Sequence, residues 1–337
     1  MNAIVLRDVR QPVELIEMPH RKAGPGEVVV QLKAAALNHR DVYVQQGLYP
    51  GIKLPVILGS DGAGVVTEVG EGVNSQWLGK AVVINPGLNW GSNAKFYSPD
   101  FRILGMPDDG TFAEYIRINA QYIYPKPDYL SFEEASTIPL GGVTAWRALM
   151  TRGRLQAGDR VLITGIGGGV ALLAMQIAVA AGAEVWVTSG SEEKLQRAVT
   201  LGAKGGVDYK EPDWAKTLLA KTGGGKAGYF DVIIDSAGGP GFAKLLEVAA
   251  SGGRIVIYGG TTGNLTDLLA PRIFFKHLDI LGSTMGTGEE FAAMLQFVEA
   301  HQLKPVIDTV YPLAETEAAL RKMASGAQFG KLVLSIP

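Results

Sequence analysis

The sequence predicts an α/β protein of two domains: a β-rich, barrel-like domain and a doubly wound parallel sheet. Three observations carry this. The 337 residues exceed the span of one hydrophobic core, given roughly 100 to 200 residues per domain. The first third consists of short Val-rich runs bounded by Gly, Pro or Asn, and from about Leu155 apolar strands alternate with helical segments.

In the first third, "GPGEVVVQLKAAALN", "GAGVVTEVG" and "KAVVINPG" read as strands. The segment from Pro86 to Phe112 lacks periodicity, which at that length marks a functional or mobile loop. Next, "RVLITG" is a buried strand, "GVALLAMQIAVAAGA" a helix apolar almost all round, "AEVWVTS" a strand and "SEEKLQRAVTLGA" an amphipathic helix. Further strands are expected at "GGVDY", "YFDVIIDSAG", "GGRIVIYGG" and "LDILGST". Six strands with helical crossovers make a parallel, doubly wound sheet. The last fifty residues hold two helices around a short strand and end in another strand, more than this sheet needs. They are expected to return to the first domain, giving residues 1–125 with 286–337 as one domain and 126–285 as the other.

Composition narrows the function. Hydrophobic residues make up 47% and charged residues 19%, with 31 Lys+Arg against 33 Asp+Glu. Without clustered basic residues, nucleic acid is not an expected partner. The absence of cysteine excludes disulfides, thiolate metal ligands and cysteine nucleophiles. No run of about 18 apolar residues suggests a membrane span, and no secretory leader is read, so a cytoplasmic setting is expected.

The stretch "TGIGGGVALLAMQ", Thr164 to Gln176, places glycines between a strand and a helix. Such a turn presents main-chain N–H groups and the positive end of the helix dipole to an anion. Two registers are open, Gly165-x-Gly167-x-x-Val170 and Ile166-x-Gly168-x-x-Ala171 with Gly169 beside it. The second is preferred because it places alanine, not a β-branched residue, where helix packs on strand. A tight turn without ligand is the plainer reading. The second strand ends about 20 residues on, the spacing of a dinucleotide-binding unit. Its tip, Thr188-Ser189-Gly190-Ser191, carries no carboxylate and is followed by Lys194. A carboxylate there would repel a 2′-phosphate, so NADP(H) is favoured over NAD(H). Ser189 and Glu192 also read as a helix capping box, which does not prevent a phosphate contact.

At this point the residues resemble the medium-chain dehydrogenase/reductase superfamily over essentially the whole chain. The motifs are "GPGEVVVQLKAAALNHRD", "GLYPGIKLPVILGSDGAGVVTEVG", "GTFAEY", "IPLGGVTAWRAL", "GGGVALLAMQIA" and "FGKLVLSIP". The resemblance implies a GroES-like catalytic domain, a Rossmann cofactor domain, hydride transfer with a nicotinamide nucleotide, and a homodimer or homotetramer. The zinc-ligand places of metal-dependent members look to be held by Asn38, by Ser60 and Asp61, and by Leu140 or Gly141, a set that suits no tetrahedral zinc site. The Pro86–Phe112 segment resembles the structural-zinc lobe of such enzymes, without its cysteines.

That departure resembles the zinc-independent branch, the quinone oxidoreductases and enone reductases, matched by Asn38, Asp41 and Gly47-Leu48-Tyr49-Pro50. The resemblance implies a 2′-phosphate held by Ser189, Ser191, Lys194 and Tyr209. It further implies a pyrophosphate near Gly167, Gly168, Gly169 and Val170, and cofactor contacts from Thr144, Tyr258, Gly259 and Lys331. Asn38, Tyr43 and Tyr49 are the candidate catalytic donors, with His39 and Arg40 behind them; Asn38 also reads as a plain turn residue. The expected function is NADPH-dependent reduction of a quinone or α,β-unsaturated carbonyl without zinc. The alternatives are an alcohol dehydrogenase or enoyl-thioester reductase of the same fold, and a non-catalytic NADPH-binding or redox-sensing protein.

Overall fold

A computed structural model describes residues 1–337, which form two compact units: Met1–Val143 with Gly286–Pro337, and Thr144–Met285. The first division falls later than the expected 125/126 boundary. The reason is the helix Phe132–Ser136, which packs on the strands Glu27–Ala36, Asp61–Val69 and Lys331–Ser335 of the first unit. Ser131 caps that helix, its hydroxyl accepting from Glu134 N–H at 3.1 Å while Glu134 accepts from Ser131 N–H at 2.9 Å.

The main sheet of the first unit runs in the order Ile123–Pro125, Ala81–Ile84, Asp61–Val69, Glu27–Ala36, Lys331–Ser335, Ile307–Pro312, and Tyr115–Asn119 also pairs with Glu27–Ala36. The long central strand carries the β-branched run Val28-Val29-Val30, which favours a pleated, packed surface. Val28, Val30 and Leu32 face a core with Leu58, Ile84, Phe112 and Leu332. On the other face the small Ala34 and Ala36 admit Val333, Phe132 and Ile307. Register shifts interrupt the pairing with Asp61–Val69, and there Gly64 is required: a Cβ on it would lie 2.1 Å from the Gln31 carbonyl oxygen. The C-terminal strand Lys331–Ser335 is thus bonded beside Asn38 and Asp61, far away in sequence.

The unperiodic Pro86–Phe112 segment is an ordered lobe. It forms a small sheet of Gly87–Leu88, Arg102–Leu104 and Pro107–Asp108. Trp90 meets Phe101 edge-on at 5.4 Å and Tyr97 at 5.9 Å, and Tyr97 stacks on Phe101 at 4.8 Å. These aromatic contacts hold the lobe where no cysteine is present to cross-link it through a metal.

In the second unit the six expected strands pair in parallel in the order Gly205–Asp208, Glu184–Ser189, Arg160–Ile163, Phe230–Asp235, Ala249–Ile257, Asp279–Gly282. Numbered along the chain this is 3-2-1-4-5-6, the Rossmann order, and it reverses between Arg160–Ile163 and Phe230–Asp235. Ligands of such sheets bind outside the carboxyl ends of the strands at that reversal. Leu162, Trp186, Phe230, Ile233 and Ile255 form its core. No helix is long and apolar enough to cross a membrane.

Candidate functional site

Two groups of residues carry chemistry, one in each unit. In the second unit the strand Arg160–Ile163 leads to Thr164, whose hydroxyl donates to Asp235 Oδ1 at 2.5 Å across the reversal point. The chain then turns sharply. Gly165 and Gly167 have φ of 63° and 132°, values that side-chain-bearing residues rarely adopt. Gly165 N–H donates to Thr188 Oγ1 at 3.1 Å and Ile166 N–H to the Thr188 carbonyl at 2.8 Å, tying the turn to the second strand. The helix Gly169–Ala180 begins after Gly168, which supplies no side-chain cap, and a Cβ on Gly168 would meet nothing within 4 Å. The first N–H groups of this helix thus have no side-chain cap, which is the arrangement an anion can use.

Neither expected register stands alone. The unusual backbone angles fall on Gly165 and Gly167, from the register not preferred, whereas the buried packing position is Ala171, from the preferred one. Val170 is only half-buried.

Around the turn, Lys194 Nζ lies 3.3 Å from where a Cβ on Gly167 would stand, so its ammonium overhangs the glycines. Ser191, not Ser189, is the N-cap of the helix Glu192–Thr200 and accepts from Lys194 N–H at 3.4 Å. Ser189 is buried, with its hydroxyl 3.5 Å from the Ile166 carbonyl and 3.2 Å from Ser191 N, so it braces the turn. Tyr209 is exposed beside Gly190, and Lys210, which sequence reasoning missed, donates to the Gly190 carbonyl at 2.7 Å. The tip of the second strand thus gathers Ser191, Lys194, Tyr209 and Lys210.

Tyr258 and Gly259 follow the strand Ala249–Ile257, close to the reversal point: Tyr258 N–H donates to the Asp235 carbonyl at 3.0 Å, and a Cβ on Gly259 would lie 2.9 Å from the Ser236 carbonyl. Burial raises the Tyr258 phenol above its ordinary value, keeping it neutral. Thr144 is buried, with its hydroxyl 3.9 Å from Met285 Sδ.

The first unit brings together residues that stand far apart in sequence. Asn38 closes the strand Glu27–Ala36 and opens the helix His39–Gln45. Its Nδ2 donates to Asp61 Oδ2 at 2.9 Å, and its Oδ1 accepts from Lys331 Nζ at 2.8 Å. Lys331 Nζ also donates to Asp61 Oδ2 at 2.9 Å, and Leu140 N–H donates to Asp61 Oδ1 at 2.6 Å. The cluster is shut away from water: Asp61 is 0%, Lys331 3% and Asn38 7% exposed. Lys331 does not present its ammonium to a cofactor phosphate as the resemblance implies. Its ammonium is buried against Asn38 and Asp61, two of the places read above as former zinc positions.

Those residues do not fit zinc. An amide, a carboxylate already paired with an ammonium and a main-chain N–H offer no sulfur or imidazole, and no three His, Cys, Asp or Glu side chains converge anywhere in the chain.

Arg40 is buried beside this cluster, its Nη1 donating to Ser60 Oγ and the Leu104 carbonyl at 2.7 Å and its Nη2 to the Met106 carbonyl at 3.0 Å. Its guanidinium lies 4.9 Å from the centre of the Tyr49 ring, and His39 meets Tyr43 edge-on at 4.9 Å. These contacts involve the rings and not the phenol hydroxyls, and of the three candidate donors Asn38 is the one that joins the buried cluster.

Asp41 accepts from Asn38 N–H at 2.8 Å through Oδ2, while its buried Oδ1 has no partner. Burial pushes its carboxyl up to about 6, against the pull of Arg40. A carboxyl raised on folding favours the native state most at pH below its unfolded value of about 4, and that contribution is lost as pH climbs to about 6. Asp41→Asn keeps an acceptor for Asn38 but cannot ionise. Its stability relative to the parent is expected to rise by about 3 kcal/mol between pH 4 and 7, at about 1.4 kcal/mol per pK unit. Paired thermal melts across that range check this, and a pH-independent difference contradicts it.

Residues 24–128 match the alcohol dehydrogenase GroES-like domain and residues 169–300 the zinc-binding dehydrogenase domain. The chain is 39% identical to the zinc-type alcohol dehydrogenase-like protein YogA of Leptosphaeria maculans, over 97% of this chain and 96% of that one. It is 29% identical to an acryloyl-coenzyme A reductase of Sulfurisphaera tokodaii, over 99% of each. The crystal structure of an NAD-dependent alcohol dehydrogenase superposes with a TM-score of 0.94 at 42% identity, covering all of both chains.

Proposed function

The chain belongs to the medium-chain dehydrogenase/reductase superfamily and is a nicotinamide-dependent oxidoreductase, and from that premise we propose that it reduces conjugated carbonyls, enones and quinones, with NADPH and without a metal Lewis acid. The observation that carries this reading is the seating of the Lys331 ammonium between Asn38 and Asp61. Reducing an isolated ketone concentrates charge on one oxygen, which a metal would ordinarily stabilise. In a conjugated acceptor the charge spreads into an enolate or hydroquinone, for which hydrogen-bond donors suffice.

When bound, the nicotinamide supplies a hydride to the β-carbon of an enone or to the quinone ring. The chain's own residues do the rest. The N–H groups after Gly168 would hold the pyrophosphate, and Tyr258 and Gly259 would serve the nicotinamide half. Ser191, Lys194, Tyr209 and Lys210 receive the 2′-phosphate, where charge-assisted hydrogen bonds from lysine are strongest. Asn38 donates to the acceptor oxygen as it gains charge, and water protonates the enolate carbon. The likeness to an acryloyl-coenzyme A reductase favours enoyl thioesters within the same substrate class. We place the enzyme in the cytoplasm as a homodimer or homotetramer.

An acceptor panel tests the reading: NADPH and NADH against an enone, a quinone, an enoyl thioester, a saturated ketone and an alcohol, with metal analysis of the same sample. The enone is expected to exceed the saturated ketone in kcat/KM by about 10²-fold, the scale of one oxyanion-stabilising contact. Alcohol oxidation tracking stoichiometric zinc contradicts it, and tight NADPH binding with no turnover points to a non-catalytic binder.

A further inference from the structure

The inference concerns how Asn38 is aimed, and it rests on the conjugated-carbonyl reading above. An asparagine amide can flip, exchanging a donor for an acceptor. Here the flip is blocked electrostatically. With Oδ1 on the Lys331 ammonium and Nδ2 on the Asp61 carboxylate, turning the amide over would set N–H against an ammonium and C=O against a carboxylate. Asp61 is itself fixed by Leu140 N–H on its other oxygen. The amide oxygen is taken by Lys331 and both Asp61 oxygens have donors. Asn38 therefore keeps one N–H for an outside group, since an amide NH2 carries two donors and Asp61 uses one. Asn38 is 7% exposed, against 3% for Lys331 and 0% for Asp61.

We infer that Lys331 and Asp61 are positioning residues that lock the Asn38 amide as a donor, so that the cluster recognises an oxyanion and not a cation. The ammonium polarises the amide through its oxygen, which strengthens the remaining N–H as a donor. Such a cluster would favour conjugated acceptors over alcohol oxidation, because an N–H donor stabilises enolate oxygen but cannot accept the proton of an alcohol.

The test uses the double variant Lys331→Met with Asp61→Asn, which removes both charges and leaves neither buried alone. It is compared with the parent and with Asn38→Leu. The double variant is expected to bind NADPH as the parent does, and to lose about 10²-fold in kcat on an enone with little change in KM. Its loss on a quinone is expected to be smaller, because the hydroquinone oxygen is the weaker base. A purely structural role would lower both acceptors alike. Side-chain amide resonances of Asn38 supply a readout independent of turnover: slowly exchanging in the parent, averaged in the double variant. Parent-like kcat on the enone in the double variant, or an Asn38 amide that exchanges freely in the parent, overturns the inference. Failure of the parent to reduce any conjugated acceptor, with Asn38 locked, instead overturns the proposed function.

Discussion

Lys331→Met alone is expected to lower the unfolding free energy by about 3–5 kcal/mol, the usual consequence of removing one partner of a buried ion pair. Asp61 is fully buried and Lys331 nearly so, at 2.9 Å. Methionine fills most of the volume but leaves the carboxylate with only the Asn38 amide and Leu140 N–H. The melting temperature should fall on the order of 10 °C, at roughly 2–4 °C per kcal/mol in a chain of this class. Asp61→Asn added to it should recover most of the loss, because a neutral pair in the same space has no uncompensated charge. Thermal melts of the parent, both single variants and the double variant form a cycle that isolates the coupling. Additive losses would show that the pair does not act as a unit.

The second large effect is expected at the other end of the chemistry. Lys194→Glu reverses the charge that overhangs Gly167. It should weaken NADPH relative to NADH by about 10²-fold or more, since one charge pair near a protein surface is worth up to about 4 kcal/mol at 4 Å. Titration of both nucleotides against the parent and the variant measures the ratio of dissociation constants. An unchanged ratio would place the 2′-phosphate elsewhere, or remove the basis for preferring NADPH. Raised salt should narrow the parent's preference as well, because these side chains lie at an exposed strand tip where charges are screened.

The second unit was legible in the sequence because its signals are local. Each strand is a short apolar run, each crossover has helical period, and glycines stand where the backbone must turn with positive φ. Even there the turn combined two registers, since backbone angle and helix packing select different residues of "GIGGGVA". Ser189 shows a similar limit: a serine at a strand tip reads the same in the sequence whether its hydroxyl faces outward or, as here, lies beside the Ile166 carbonyl. The Pro86–Phe112 lobe was visible only through its resemblance to the structural-zinc lobe, because three aromatics at irregular spacing have no period to detect.

The Asn38–Asp61–Lys331 cluster was hardest to see. Asn38 and Asp61 could be singled out from the motifs around them, but Lys331 stands 270 positions from Asp61, and a lysine at the start of a strand ordinarily reads as solvated. Only the antiparallel pairing of Lys331–Ser335 with Glu27–Ala36 makes the three neighbours. Long-range pairing of that kind leaves no local periodicity in the sequence.

The most direct measurement is a single turnover with protein stripped of divalent ions by a chelator, loaded with NADPH deuterated at the transferred position, and mixed with an α,β-unsaturated ketone. The expected result is oxidation of one NADPH per active site with deuterium found on the β-carbon of the saturated product. Failure to bind the nucleotide, or turnover that appears only when zinc is restored, would contradict it.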